Sequence, residues 1–125
     1  MNEVLNGALK AMDDYIAGLN ENDEKKVNDA CHFPHVRLAD GKVAIWQNRG
    51  DYKIDAFKAR AGDGWHHSTW DERTPIHVGE NKVHLKVKFS RWKADNSLIG
   101  TFETIYILTR QNGRWGIQAR SSFAA

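Results

Sequence analysis

The regular alternation in residues 82–90 restricts the fold more than any other feature of the sequence. Apolar residues occupy every second position, and a polar residue follows each of them. Because successive side chains of a β-strand point to opposite faces, this pattern predicts a strand with one buried and one solvated face, running from Lys82 to Lys93. The chain therefore has to contain a sheet that is covered on one face. The apolar positions of the pattern are Val83, Leu85, Val87 and Phe89.

Helical periodicity is confined to the first half of the chain. Apolar residues recur at three- and four-residue spacing over residues 5–19, which predicts an amphipathic helix. A short second helix is predicted over residues 23–30, and Pro34 prevents that helix from continuing. A third helix is predicted to begin at Asp51, which would cap it, and to end at Gly62-Asp63-Gly64.

The remaining segments predict strands, and together they define the fold class. The predicted order is helix, helix, strand, strand, helix and then four strands, which is an α+β arrangement. We predict a single domain over residues 1–125, in which three helices pack on one strongly bent mixed or antiparallel sheet of about six strands around a central pocket. The predicted strands besides 82–93 are residues 35–39, 43–46, 65–77, 98–110 and 115–123.

The last two predicted strands decide how the sheet is covered. Residues 98–110 are apolar on both faces, whereas in the last strand Ile117 and Ala119 alternate with Gln118 and Arg120. Three helices can cover only one face of such a sheet. The second apolar face needs another cover, so we predict a homodimer formed through the sheet.

Charge and cysteine content narrow the range of partners and compartments. Eighteen Lys and Arg against 16 Asp and Glu give a formal net charge of +2, which is too small to indicate a nucleic-acid partner. A lone cysteine, Cys31, cannot form an internal disulfide, which favours the cytoplasm. No segment approaches the roughly 20 apolar residues of a membrane span, so no membrane partner is expected.

Several segments of the chain resemble the nuclear transport factor 2-like superfamily, and its SnoaL-like branch in particular. The resemblance is carried by the first helix running into Asn22-Asp23, by residues 32–38 followed by Asp40-Gly41, and by residues 101–110 turned onto Gly113-Arg114-Trp115. It implies a cone-shaped α+β barrel whose bent sheet wraps the first helix and whose open end forms an apolar pocket for a small molecule. Enzymes of this kind carry out acid/base chemistry with Asp, His and Tyr, and the superfamily also includes non-enzymes.

A closer resemblance concerns the ketosteroid isomerases of the same superfamily. Tyr15-Ile16 stands in a frame similar to that of their oxyanion-stabilising tyrosine, and Asp40 lies at a distance similar to that of their general base. The position of their second oxyanion donor holds Ile105 here, and Glu103 is the nearest acid on the same face. The resemblance therefore implies Tyr15 and Asp40 as catalytic residues.

Each candidate catalytic residue also has an ordinary structural interpretation. Tyr15, on the buried helix face, is either an oxyanion donor or a core tyrosine. His35 shares one strand face with Arg37 and either points outward or faces a ligand as a proton shuttle. Asp40 suits a hairpin turn at least as well as a site. Glu103 is either functional or paired with an arginine such as Arg120 or Arg91.

Aromatic and cationic residues near the predicted open end are expected to bind the ligand, because such groups suit a flat organic molecule. His32-x-x-His35 and His66-His67 do not predict a metal site, since Pro34 prevents a helical arrangement of the first pair. No metal and no cofactor are therefore expected. The predicted ligand-binding residues are Phe33, Arg37, Trp46, Trp65, His66, Trp70 and Arg120.

Two functions remain open from the sequence. The first is a cofactor-independent isomerase, dehydratase or cyclase that acts on an apolar carbonyl or hydroxylated substrate. The second is a non-catalytic, dimeric ligand-binding or accessory domain. The first requires that His35, Asp40 or Glu103 lie within hydrogen-bonding reach of a ligand.

Overall fold

The computed structural model describes residues 2–125, which form three helices and six strands. Two of the strands lie between the second and third helices, and the other four follow the third helix. The α+β prediction is confirmed, with the element order that the sequence predicted. In chain order the elements are α1 (Asn2–Asn20), α2 (Glu24–Asp29), β1 (Cys31–Ala39), β2 (Lys42–Trp46), α3 (Ile54–Ala61), β3 (Trp65–Val78), β4 (Lys82–Lys93), β5 (Leu98–Gln111) and β6 (Arg114–Ser122).

All six strands belong to one mixed sheet in the order β2-β1-β6-β5-β4-β3. Neighbouring strands are antiparallel, except that β1 lies parallel to β6. Helix α1 packs against β3 and β6, on the concave side of the sheet. The concave side holds the core, to which β4 contributes Val83, Leu85 and Val87, as its alternation predicted.

Helices α1 and α2 approach each other closely at Gly18. A Cβ atom at this position would lie 2.8 Å from Val27 Cγ2 and 2.9 Å from Val27 N. Only glycine allows this approach, because every other residue would bring a side chain against the backbone of α2. The N-terminus of α2 is capped by Asp23, whose side chain accepts a hydrogen bond from Lys26 N.

A β-bulge in β6 decides which of its side chains point inward. Ile107 of β5 pairs with Ala119, and the next residue, Leu108, pairs with Ile117, so Gln118 is the extra residue. Ile117 and Arg120 therefore both face the core, and the prediction that Ile117 and Ala119 share a face was wrong. The sequence shows regular alternation in this strand, and a bulge interrupts that alternation.

The start of α3 also differs from the sequence prediction. Asp51 does not cap this helix, because its carboxylate accepts a hydrogen bond from Asn48 N in the preceding loop. The N-cap position is Lys53, which makes no side-chain capping bond. The free amide of Ile54 instead donates to Glu24 Oε1 of α2 at 2.9 Å. Helix α3 is thus joined to α2 at its first turn.

The convex face of the sheet carries exposed apolar side chains from three of the six strands. Leu38 of β1, Val43 and Ile45 of β2 and Ile105 of β5 are between 43% and 64% exposed. Ile105 lies outside because Thr104 and Tyr106, its neighbours in β5, are buried on the concave side. No helix within residues 2–125 is long and apolar enough to cross a membrane.

Candidate functional site

Arg120 lies at the centre of a buried polar network on the concave side of the sheet. Its Nε donates to His35 Nε2 at 3.0 Å, and its Nη1 donates to the hydroxyl of Tyr15 at 2.9 Å. The hydroxyls of Tyr15 and Tyr52 are hydrogen-bonded at 2.7 Å, and Arg60 Nη2 donates to Tyr52 at 3.1 Å. Four elements and a loop therefore meet at a single chain of hydrogen bonds: α1, α3, β1, β6 and the segment between β2 and α3.

His35 is held as a neutral hydrogen-bond acceptor. Because its Nε2 accepts from Arg120, its proton belongs on Nδ1, which lies 2.9 Å from the carbonyl oxygen of Ile117. Burial and the nearby charge of Arg120 lower the pKa of His35 to about 3. Both ring nitrogens are occupied, so His35 positions Arg120 and has no free lone pair with which to act as a base.

The two tyrosines of the network differ in acidity. Burial raises the pKa of Tyr15 well above its ordinary value. Burial also acts to raise the pKa of Tyr52, but the charges of Arg120 and Arg60 and the hydrogen bond from Tyr15 outweigh it and lower that pKa. When both are neutral and Tyr52 donates to Tyr15, the Tyr15 oxygen accepts from Tyr52 and from Arg120, and its own proton is available to a further acceptor.

The same interior contains an excess of positive charge. Arg37 and Arg120 are in register on the neighbouring strands β1 and β6, and both are buried. Arg91 of β4 is buried as well, and Arg60 is half-buried. None of the side-chain ion pairs within residues 2–125 involves any of these four arginines. Because buried charges normally have a partner, this cluster is unusual for a purely structural core.

A small cavity separates Arg120 from Arg91, and hydrogen-bond donors surround it. Its volume is about 20 Å³, which is room for roughly one water molecule. Three of its lining residues have a buried N–H group without a partner in residues 2–125, namely Trp70 Nε1, Arg91 Nε and Arg120 Nη2. Tyr15 also lines it. The site is therefore complementary to an oxygen atom that carries negative charge. Its aromatic walls are Phe57, Trp70, Phe89 and Tyr106.

Comparison with known families identifies relatives of this protein. A family model described as NTF2-like protein (DUF6841) matches residues 8–122. The chain belongs to this NTF2-like family. The match begins within α1 and ends with the last residue of β6, so it includes every element of the fold. The predicted superfamily is confirmed. No curated protein matches the chain.

Solved structures share the NTF2-like fold at low sequence identity. A protein of unknown function with a cystatin-like fold from Nostoc punctiforme has a TM-score of 0.73 at 10% identity, covering 93% of this chain and 86% of its own. A protein from Catenulispora acidiphila, solved in complex with S-DNPA, has a TM-score of 0.75 at 12% identity, covering 98% and 93%. Aln2 from a Streptomyces species has a TM-score of 0.76 at 12% identity, covering 99% and 92%. At these identities the likeness concerns the fold.

The structure of this NTF2-like protein brings several of the predicted site residues together. Tyr15, His35 and Arg120 form the network, and Trp46 lies beside it, stacked on Tyr52 with ring centroids 5.3 Å apart. The buried Arg37 lies on the same concave face. Phe33 lies against His35, Trp65 against Phe57, and Trp70 lines the cavity itself.

Three predicted site residues lie away from this interior. Asp40 is exposed in the β1–β2 turn, where its positive φ of 54° suits a tight hairpin. Glu103 is exposed on the convex face opposite Lys88, so it pairs neither with Arg120 nor with Arg91. His66 is exposed at the start of β3, where it is hydrogen-bonded to His67. The structure therefore does not bring these three side chains to the site.

Two residues of the network, Tyr52 and Arg60, were absent from the sequence predictions. Tyr52 lies in a loop without periodicity, where Asn28 fixes it by donating to its carbonyl and accepting from its amide. Arg60 lies one turn after Phe57 on α3, and this spacing indicates that the two side chains share the inward face of the helix. For Arg91, which lines the cavity, the signal was stronger, because it continues the inward series of β4 after Phe89.

A larger groove lies outside the cone, between α1, α2 and the β5–β6 turn, with a volume of about 600 Å³. Its charged groups are largely paired with one another, as in Lys10–Asp14 at 2.9 Å and Lys25–Asp29 at 2.8 Å. These exposed pairs leave few unmet hydrogen bonds for a ligand, so we regard the smaller interior cavity as the candidate site. No group of three or more His, Cys, Asp or Glu side chains in the described chain is arranged to hold a metal ion.

Proposed function

We propose that this protein binds a small organic molecule inside the cone and holds a negatively charged oxygen of that molecule with Arg120 and Tyr15. One observation carries the proposal: the unpaired polar atoms around the cavity are all donors, and none of the nearby arginines is paired with an Asp or Glu side chain in residues 2–125. A carboxylate, phenolate or enolate oxygen would meet Arg120 Nη2 and Trp70 Nε1 while Tyr15 donates its free proton.

The walls of the cavity indicate the rest of the ligand. Four aromatic side chains surround the donors, which favours a flat apolar body. Because the cavity has room for roughly one water, binding requires that part of the wall moves. The Catenulispora acidiphila protein, solved in complex with S-DNPA, supports the view that this fold accommodates small molecules.

Within the superfamily we place the chain in the SnoaL-like branch, as one domain.

Calorimetry with a matched pair of ligands tests the anion site. We expect 2-naphthoate to bind and its neutral counterpart 2-naphthamide to bind at least about tenfold more weakly, because only the carboxylate satisfies the buried guanidinium. Arg120→Met and Tyr15→Phe should each weaken binding of the carboxylate. Arg49→Met, which removes an exposed arginine, serves as the control and should leave binding unchanged. Equal binding of acid and amide would refute the proposal.

Acid/base catalysis is the second candidate, and the lowered pKa of Tyr52 favours it. Tyr52 does not line the cavity, so it would act through Tyr15, receiving a proton that Tyr15 takes from a substrate carbon next to a carbonyl. An isomerase, dehydratase or cyclase acting on an apolar carbonyl or hydroxylated substrate would use such a relay, with Arg120 stabilising the enolate.

Proton exchange separates the two candidates without knowledge of the natural substrate. In D₂O, an acid/base enzyme should accelerate deuterium uptake at the α-carbon of 2-tetralone, as followed by NMR. Tyr15→Phe and Tyr52→Phe should abolish the acceleration, whereas Tyr106→Phe should retain much of it. If the native protein leaves the exchange rate unchanged while binding 2-naphthoate, it is a binding protein toward such ligands.

We also propose that a second copy of the chain covers the convex face. Val43 pairs with Leu38, Leu38 pairs with Ser121, and Ser121 pairs with Ile105, so three exposed apolar residues and one serine lie in one row across four strands. An exposed and largely apolar row of this kind is typical of an interface. We expect the protein to work in the cytoplasm, since its one thiol, Cys31, is buried and unpaired.

A further inference from the structure

Two of the buried arginines, Arg37 and Arg91, hold the last residues of the described chain. Arg37 Nη2 donates to the main-chain oxygen of Ala124 at 2.8 Å, and Arg91 Nη2 donates to that of Ala125 at 3.1 Å. We call residues 123–125 the tail segment. Beyond β6 it has no regular secondary structure, and yet Ala124 is only 2% exposed.

The contacts of the tail segment leave both arginines incompletely satisfied. Arg37 Nε and Arg91 Nε are buried and have no partner within residues 2–125. The other contact of Arg91 is a 3.5 Å hydrogen bond to the main-chain oxygen of Ala61. A guanidinium forms its strongest hydrogen bonds with a carboxylate, because a carboxylate carries full charge and can accept two parallel bonds. The neutral main-chain oxygens of Ala124 and Ala61 are weaker partners than a carboxylate.

The tail segment is also only lightly attached to the rest of the molecule. Phe123, its largest side chain, is 75% exposed and contributes little to the core. Its main-chain amide makes a 3.3 Å hydrogen bond to Glu103, and Ala124 N donates to Ser122 Oγ at 3.0 Å. Apart from the bonds from Arg37 and Arg91, few contacts therefore hold the segment, which is typical of segments that open locally.

Arg91 connects the tail segment to the proposed ligand site. It lines the cavity together with Arg120, and Arg37 lies in register with Arg120 on the neighbouring strand. The oxygen of Ala125 thus occupies a guanidinium group that borders the space a ligand would fill, and the oxygen of Ala124 occupies its neighbour Arg37. Release of the tail segment would free both groups for a ligand.

We propose that Arg37 and Arg91 form a second anion subsite, at which a carboxylate of the ligand replaces the main-chain oxygens of Ala124 and Ala125 and displaces the tail segment. This inference rests on the proposed function, and it narrows the ligand class to organic molecules with two anionic groups, one held by Arg120 and one carboxylate that competes with the tail segment. The tail segment then acts as an internal competitor that sets the apparent affinity.

A spin label on the tail segment tests the displacement directly. Phe123→Cys introduces an exposed thiol for a nitroxide label, whereas the native Cys31 is buried and its pKa is raised to about 12, so it stays unlabelled. We expect 2,6-naphthalenedicarboxylate to increase the mobile fraction of the label, with the midpoint that calorimetry gives for its binding. 2-Naphthoate, whose single carboxylate is held at Arg120, should leave the spectrum unchanged. A label on Asn96→Cys, in the β4–β5 turn, should not respond to either compound.

Removal of the competitor provides a second and independent measurement. If the tail segment is docked in about nine of ten molecules, deletion of residues 123–125 raises the affinity for 2,6-naphthalenedicarboxylate by about tenfold. Arg91→Met, or Arg37→Met if the first variant does not fold, should remove this gain when it is added to the deletion. Circular dichroism checks that each variant retains the fold.

The outcomes distinguish this inference from the proposed function. Binding of 2-naphthoate that depends on Arg120, with a label that stays immobile in the presence of the dicarboxylate and no gain in dicarboxylate affinity on deletion, would overturn the second subsite and leave the proposed function intact. No binding of either carboxylate to the native chain or to the deletion variant would overturn both. Binding of the dicarboxylate that mobilises the label and tightens on deletion supports both.

Discussion

Single residues in the interior are held by hydrogen bonds from arginine to neutral acceptors. Arg120 donates to an imidazole and to a phenol, and Arg60 donates to a second phenol. These contacts orient the guanidinium groups without cancelling their charge. A neutral partner therefore preserves an attraction for anions that a carboxylate partner would remove.

His35 should make the stability of the protein depend on pH in the mildly acidic range. Its pKa is lowered from 6.5 to about 3 by burial and by Arg120, so below 6.5 the unfolded chain binds a proton that the folded protein does not. Stability is therefore complete above pH 6.5 and falls as the pH falls towards 3. We expect a loss of about 1 to 2 kcal/mol between pH 6.5 and 5, measured by urea unfolding.

The variant His35→Gln should show a clearly smaller loss over the same pH range, because glutamine can accept from Arg120 and donate to Ile117 without titrating. His66→Gln removes an exposed histidine and should behave like the native protein. Equal slopes for all three proteins would contradict a buried neutral His35.

Tyr52 should be the first of the three tyrosines to ionise. Its pKa is lowered, whereas burial raises the pKa of Tyr15 and of Tyr106. An alkaline titration followed by tyrosinate absorbance should show a first step below the ordinary value of 10. Tyr52→Phe should remove that step and Tyr106→Phe should retain it. Survival of the step in Tyr52→Phe would show that another tyrosine is the more acidic.

Helices and strands fix the site by how closely they approach one another. The α1–α2 contact at Gly18 sets the position of α1 and hence of Tyr15, whose hydroxyl meets side chains from β6 and from the loop before α3. The bulge at Gln118 then turns Arg120 toward the same point. Two local features thus determine whether the network forms.

Gly18→Ala should destabilise the protein by about 1 to 3 kcal/mol in urea unfolding, because the added Cβ would lie within 3 Å of the α2 backbone. The sign of this change in stability is informative, because the higher helix propensity of alanine would by itself stabilise the helix by about 1 kcal/mol. Gly41→Ala, with no atom within 4 Å of its added Cβ, is the control and should change stability by less than about 0.5 kcal/mol. Equal effects of the two substitutions would contradict the tight helix contact.

Elements with one strong local signal could be predicted from the sequence, and the site could be predicted only in part. The strand β4 was predicted with its observed bounds, because its alternation repeats without interruption. Tyr15 and Arg120 were found as polar groups in apolar elements. The side on which Arg120 lies depends on the bulge at Gln118, which is a property of strand pairing. Tyr52 could not be found, because the tertiary contact with Asn28 positions its loop.

Across the whole molecule, the two faces of the sheet have different roles. The concave face carries the polar network, and the convex face carries an apolar row that no helix of the described chain covers. Strands β1 and β2 contribute side chains to both faces of the sheet. An interface on the convex face would therefore stiffen β1, which carries His35 and Arg37 on the concave face. Association and the interior site are thus expected to support each other.

Light scattering tests the proposed dimer. We expect a mass of twice 14.3 kDa for the native protein. Val43→Lys places a charge within the apolar row and should give a monomer, since burying an unpaired charge is costly. Ile76→Lys changes an equally apolar, exposed residue of β3 at the other edge of the sheet and should remain dimeric. A native monomer at high protein concentration would contradict the proposal.

The parallel pairing of β1 with β6 has a consequence for how the chain is made. The bond from Arg120 to His35 spans 85 residues, and the bond to Tyr15 spans 105. During synthesis at about 5–20 residues per second, His35 waits roughly 4–17 s for Arg120 to be added. Over that interval β1 lacks one of its neighbours, and its unpaired edge is open to other chains. The last strand to be made both completes the site and ends the period in which the nascent chain is most prone to aggregate.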